Sequence, residues 1–193
     1  MNLPASRSGK RAQRGATAVE FALAAMLFFT FVFGVIELAR ALYMWSTMIE
    51  VTRRAARGAA GADFSNASAM AAVRGKAMFA NLPGGLPLRG NVTENNLSID
   101  YLNGNLEHIS SLPACPEANI INCNTDPAGA SCIRFVRVRL CAESGAASCT
   151  KLDYDPIISA NFFPGAPLKY PTFATVTPVA TLGRQPGAAG NCL

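Results

Sequence analysis

From Ala22 to Ile36 the chain carries no charged residue, and an acid, Glu20, stands at the edge of that run. A segment this apolar has few ways to fold. In lipid, a helix bonds every backbone N–H and C=O within itself, and about 20 residues cross the hydrocarbon. The carboxylate is the anomaly, because an acid at the centre of such a helix costs on the order of 2.5–3.5 kcal/mol. An ionisable group there calls for a partner. If the chain were cut after Gly15, Ala16 would carry a new α-amine and Glu20 would be the fifth residue. A neighbouring subunit could then offer its α-amine to Glu20. At about 4 Å and an effective dielectric near 20 the attraction is roughly 4 kcal/mol, enough to offset burial.

An ordinary secretory signal would place a small-residue cleavage site just beyond the apolar core. Here Glu37-Leu-Ala-Arg40 follows and the helical pattern continues, so the apolar segment stays with the protein. The formal charge of +5 overstates the basic character. Arg7, Lys10, Arg11 and Arg14 lie in an N-terminal stretch without acids, leaving 13 basic against 12 acidic residues in the remainder. That balance argues against a nucleic-acid partner, which needs basic groups clustered on the folded surface. The leader's charges instead favour a cytoplasmic N-terminus, although Arg40, Arg53, Arg54 and Arg57 flank the other end of the apolar run.

Periodicity divides the chain into residues 1–15, a basic leader; 16–58, a long helix that spans a membrane at about 18–40; 59–85, a second amphipathic helix and linker; and 86–193, a cysteine-rich, β-containing domain. The long helix would extend roughly 64 Å at 1.5 Å per residue, so part of it must project from the bilayer. Beyond Glu37, Leu38, Leu42, Trp45, Ile49 and Thr52 share one side. Trp45 and Tyr43 stand where interfacial anchors would, and Glu37 can pair with Arg40 three residues on. Met70, Val73, Ala77 and Phe79 predict the second helix over 65–82, ended by Pro83-Gly84-Gly85.

In the distal region Leu97–Leu102 reads as a strand followed by an Asn103-Gly104 hairpin turn. Arg134–Leu140 is the strongest strand, with Val136, Val138 and Leu140 on one face and Arg137 and Arg139 on a solvated one. A bulge or frayed end is expected at Phe135, which falls out of phase with Val136. A last strand, Phe173–Thr177 and Val179–Leu182, is interrupted by Pro178, which marks an edge.

Six cysteines stand at Cys115, Cys123, Cys132, Cys141, Cys149 and Cys192. The first five are spaced by eight or nine residues without a CxxC pair, and the chain has a single histidine, His108. Zinc sites bring their ligands in tighter groups. The pattern reads as disulfides formed in an oxidising compartment, with connectivity left open. Asp153 and Asp155 alternate as a cation contact could, but no metal site or cofactor is expected. No nucleophile elbow, P-loop, HExxH or dinucleotide fingerprint occurs, so no catalytic residues are assigned and no enzymatic activity is expected.

The stretch Arg14-Gly-Ala-Thr-Ala-Val-Glu-Phe-Ala-Leu-Ala, with Phe33-Gly-Val-Ile-Glu-Leu-Ala-Arg-Ala-Leu-Tyr43, resembles the TadE-like pseudopilins of the tight-adherence (Tad/Flp) system, within the type IV pilin class. The resemblance covers roughly residues 14–60. It implies cleavage between Gly15 and Ala16 by a prepilin peptidase, with Glu20 and Phe21 completing the processing and assembly site. It also implies partner pilins that pack through the N-terminal helix. The expected fold is α+β: a pilin-like transmembrane helix, then a small antiparallel β-sheet domain with disulfides. The expected location is the bacterial inner membrane, with the N-terminus cytoplasmic and the C-terminal domain periplasmic, and incorporation into an extracellular pilus is a further possibility. The expected role is that of a minor pilin needed for pilus assembly and surface adherence. The alternative is an uncleaved single-pass anchor, a periplasmic scaffold or binding module of the same machinery, with Glu20 snorkelling to the headgroups.

Overall fold

A computed structural model describes residues 12–80, 85–143, 149–157 and 168–184. The elements are helix α1 (Ala12–Gly61), helix α2 (Ala67–Ala77), strand β1 (Leu97–Leu102), helix α3 (Pro116–Thr125), strand β2 (Phe135–Leu140) and strand β3 (Ala174–Pro178). The fold is α+β, with a long N-terminal apolar helix and a small antiparallel sheet. The chain divides into two units, Met1–Ala41 and Leu42–Leu193.

The first unit is helical throughout its described residues. α1 is long and apolar enough to cross a bilayer, and its most apolar window, of mean hydropathy 2.3, has no buried residue. Phe21, Leu27 and Phe31 are 74%, 73% and 73% exposed. Phe29 and Phe33, one turn apart, stack at 6.1 Å. The one hydroxyl in the run, that of Thr30, donates to the Met26 carbonyl at 2.8 Å, which removes an unsatisfied donor from an apolar surface.

In the second unit the remainder of α1 becomes core. Met44, Met48, Val51, Ala55 and Ala59 recur every three or four residues and are fully buried. Burial of the three larger side chains contributes about 1.5–3 kcal/mol each. This is not the stripe that hydrophobicity picked out. Leu42, Trp45 and Ile49 are exposed and only Thr52 of that set is buried, because small alanines near the end of the stripe let the chain approach closely where bulkier residues would hold it off. The Thr52 hydroxyl lies 3.0 Å from that of Thr175 on β3.

α2 begins at Asn66, whose side chain accepts from the N–H groups of Ser68 and Ala69 at 3.0 and 3.1 Å. It stops short of the expected end at residue 82. Phe79 takes a left-handed conformation (φ 56°), and the bonds Phe79 N–H to Lys76 C=O and Ala80 N–H to Gly75 C=O close a Schellman turn. The Arg54 guanidinium lies 4.2 Å over the Phe79 ring, so a contact from α1 favours a conformation that phenylalanine alone resists.

The sheet has the order β1-β2-β3, antiparallel throughout. Leu97 pairs with Leu140 and Leu102 with Phe135; Phe135 pairs with Pro178 and Arg139 with Ala174. The central strand is β2, and Phe135 enters it in register, without the expected bulge. β3 is an edge strand that ends at Pro178. Residues 179–182 form no strand; Val179 N–H bonds Arg134 C=O, and the N–H groups of Ala180 and Leu182 both bond Ala60 C=O. Asn103-Gly104 does not make a two-residue hairpin. The Asn103 side chain accepts from Asn105 and Glu107 N–H, and the returning chain makes one bridge, Leu102 to His108. The partner of β1 is instead the distant β2.

One sheet face buries Leu97, Tyr101, Val136, Val138 and Leu140. The Tyr101 ring lies 5.5 Å from that of Phe64, and its hydroxyl donates to Met70 Sδ at 3.5 Å. Desolvation pushes that hydroxyl well above the ordinary tyrosine range, against the opposing charge of Arg74. The other face was expected to be solvated. Instead Asp100, only 6% exposed, accepts from Arg137 Nη2 at 3.2 Å and Arg139 Nη2 at 2.8 Å. Arg137 is the direct cross-strand partner of Asp100 and Arg139 the diagonal one, so one acid unites two arginines that would otherwise repel.

Two disulfides flank β2. Cys123–Cys132 ties α3 to the approach to β2, and Cys141–Cys149 follows the strand directly. Helix α3, which hydrophobic periodicity did not predict, is capped by the Cys115 sulfur and has proline in its first turn. Asn119 accepts from Ile133 N–H at 2.7 Å and donates to Ile133 C=O at 3.3 Å, standing in for a neighbouring strand.

Gly183 (φ +85°) is where the fold is least forgiving, since a Cβ there would lie 2.5 Å from the Asp63 backbone nitrogen. Gly183→Ala is expected to cost roughly 2–4 kcal/mol, combining left-handed strain with overpacking. Denaturant unfolding followed by near-UV circular dichroism measures it, and an unchanged midpoint would refute this account of the contact.

Candidate functional site

Gly15, Ala16, Glu20 and Phe21 lie together on the first turns of α1, and all four are exposed. The helix continues through them because alanine, glutamate and phenylalanine sustain it, although a helical glycine costs about 1 kcal/mol relative to alanine. Among the described residues nothing packs against that glycine: a Cβ on Gly15 would meet no atom within 4 Å.

Ala16 and Glu20 are four residues apart and share a helix face. Among the described residues no cation pairs with the Glu20 carboxylate. The second acid of the apolar zone behaves differently. Arg40 Nη1 donates to Glu37 Oε1 at 3.3 Å, with side-chain exposures of 6% and 15%. This is the i, i+3 pair that the spacing predicts. One acid is ion-paired within its own helix, and the other has no paired cation among the described residues.

The other candidate residues fall in the second unit. Cys123, Cys132, Cys141 and Cys149 form the two disulfides already described, Cys115 is disulfide-bonded as well, and Cys192 lies outside the described residues. Asp153 pairs with Lys169 at 3.1 Å. Among the described residues no group of three or more His, Cys, Asp or Glu side chains is placed to hold a metal ion. His108 is exposed. The depth at which the Glu37–Arg40 pair is buried was not legible in the sequence, which showed the spacing alone.

A family model described as TadE-like protein matches residues 15–57. The match begins at Gly15 and includes Ala16, Glu20, Phe21 and the Glu37–Arg40 pair. No curated protein and no solved structure matches the chain.

The contrast between the two acids yields a measurable difference. Glu37→Gln leaves a buried guanidinium without its counter-charge and is expected to destabilise the protein by roughly 3 kcal/mol. Glu20→Gln is expected to change stability by less than about 0.5 kcal/mol, as for other exposed substitutions. Thermal unfolding of both variants in the same detergent measures the difference. Equal losses would show that Glu20, too, is held within the chain.

Proposed function

We propose, from the TadE-like segment that the chain carries at residues 15–57, that this protein is a pseudopilin of a tight-adherence (Tad/Flp) pilus system. A prepilin peptidase cuts between Gly15 and Ala16. The processed helix packs against other pilins through its apolar surface, and the chain serves pilus assembly and surface adherence as a minor pilin. The observation that carries this reading is Glu20, an exposed carboxylate beside a membrane-length apolar helix with no counter-charge among the described residues. A subunit that begins at Ala16 supplies the missing cation as its own α-amine.

Two further features support the same reading. Gly15 meets no neighbour, in keeping with a small residue selected by an external enzyme. The disulfides of the C-terminal unit suit an oxidising periplasm, and in this reading the basic leader lies on the cytoplasmic side of the inner membrane.

Processing is tested first. Wild-type protein extracted from membranes is expected to begin at Ala16 by intact mass. Gly15→Leu is expected to retain Met1 with unchanged helix content, since the fold has room for the side chain. Complete conversion of Gly15→Leu to the Ala16 form would remove Gly15 from the cleavage site.

Assembly is separable from cutting. Glu20→Gln is expected to insert and be processed, yet fail to assemble, because an α-ammonium would be left uncompensated in an apolar contact. Glu20→Asp keeps the charge on a shorter stem and is expected to be intermediate. The readout is pilus-dependent adherence beside the processed fraction. If Glu20→Gln adheres like wild type, the carboxylate does not pair with a neighbouring amine.

A further inference from the structure

Helix α3 is oriented against the ordinary preference of its side chains. Asn119 is buried, at 5% exposure, while Ile120 and Ile121 are 36% and 51% exposed. The helix is held in place without them. Cys115 and Cys123 are disulfide-bonded, and the Asn119 side chain bonds the Ile133 backbone. Between α3 and the chain that leaves β3 lies a groove of about 760 Å³, whose lining includes Ile120, Ile133, Phe135, Val179, Arg134 and Arg184. Both arginines are exposed. Among the described residues neither makes an ion pair, and no acid lines the groove. The Thr181 N–H and the carbonyls of Val179 and Ala180, on the lining segment after β3, form no hydrogen bond among the described residues.

We propose that this groove docks an extended segment of a partner protein in which apolar and acidic residues alternate. Successive side chains of a strand point to opposite sides. The apolar ones meet Ile120, Ile133 and Phe135, and the carboxylates turn back toward the exposed guanidiniums of Arg134 and Arg184. Arginine and carboxylate form charge-assisted, often bidentate, hydrogen bonds. Because both unpaired charged groups at the groove are cationic, they select an acidic segment over a basic one. The ten residues of α3 make a wall about 15 Å long, which matches about five extended residues at roughly 3.3 Å each. The unbonded backbone groups of residues 179–181 are available to the segment's own amides, as in strand addition. Fastening α3 by disulfides and a buried amide leaves its isoleucines free for this contact. Neither the processing site nor the apolar run of α1 takes part.

The test uses the full chain in detergent and a fluorescein-labelled peptide, Leu-Asp-Leu-Asp-Leu, with Leu-Asn-Leu-Asn-Leu as its neutral counterpart. Fluorescence anisotropy is read against empty micelles. Wild type is expected to bind the acidic peptide saturably. Affinity is expected to fall by about tenfold or more for Ile120→Asp, for Arg134→Gln/Arg184→Gln, and for the neutral peptide on wild type. The substituted side chains are exposed, so near-UV circular dichroism is expected to be unchanged. If Ile120→Asp nevertheless unfolds, the arginine variant decides alone. No saturable binding up to roughly 1 mM, equal affinity for the two peptides, or unchanged affinity in the arginine variant would overturn the proposal. So would self-association of wild type that Ile120→Asp abolishes, since a second copy would then be the occupant. Saturable binding of dodecanoate that the arginine variant loses, with none of the peptide, would assign the groove to a lipid-like anion instead.

Discussion

A backbone surrounded by hydrocarbon has no water to bond, so each amide must find its partner within its own segment. In this chain that constraint takes the form of one unbroken helix, Ala12–Gly61. Because 50 residues exceed what a bilayer needs, the same helix has a second use. Its distal turns supply Met44, Met48, Val51 and Ala55 as core. At its end the carbonyl of Ala60 accepts from Ala180 and Leu182. The chain that leaves β3 is thereby bonded to the last turn of the helix that began the protein, and Gly183 is the residue small enough to pass Asp63.

The small sheet depends on β2. Its valines are fully buried, its arginines converge on Asp100 from the other face, and a disulfide stands beyond each end. Sheets of this size bury little apolar area, and short-loop disulfides offset that by restricting the unfolded chain, typically by about 2–4 kcal/mol each. Asn119 adds a side-chain substitute for strand pairing at Ile133. Local covalent bonds and a few buried polar contacts thus add to the apolar core that α1 and the sheet bury.

The two acids near the apolar run illustrate how similar residues take different parts. Glu37 has Arg40 one turn away, and their pairing lowers the cost of burying either. Among the described residues no cation pairs with Glu20, and the residues one turn away are Ala16, Thr17, Leu23 and Ala24. A charge without a counter-charge among the described residues can be compensated by assembly, and that asymmetry makes Glu20 the centre of the proposed function.

Much of this was legible from residue order alone. The apolar run, the Glu37–Arg40 spacing, the alternation in β2 and the edge position of a proline-ended strand all arise from contacts between near neighbours or from a simple repeat. The TadE-like segment and the helix that carries it belong to this class. What the sequence could not specify depended on residues far apart. The buried stripe of α1 was decided by what packs on it, and the small Ala55 and Ala59 rank low on any hydrophobic count. Leu97 meets Leu140 rather than a hairpin partner, Arg54 lies over the Phe79 turn that ends α2, and Asp100 converts an apparently solvated arginine stripe into an ion-paired one. Periodicity reports which face of an element is apolar, but the identity of its partner is settled only by packing, where shape and compensated charge decide among several similar faces.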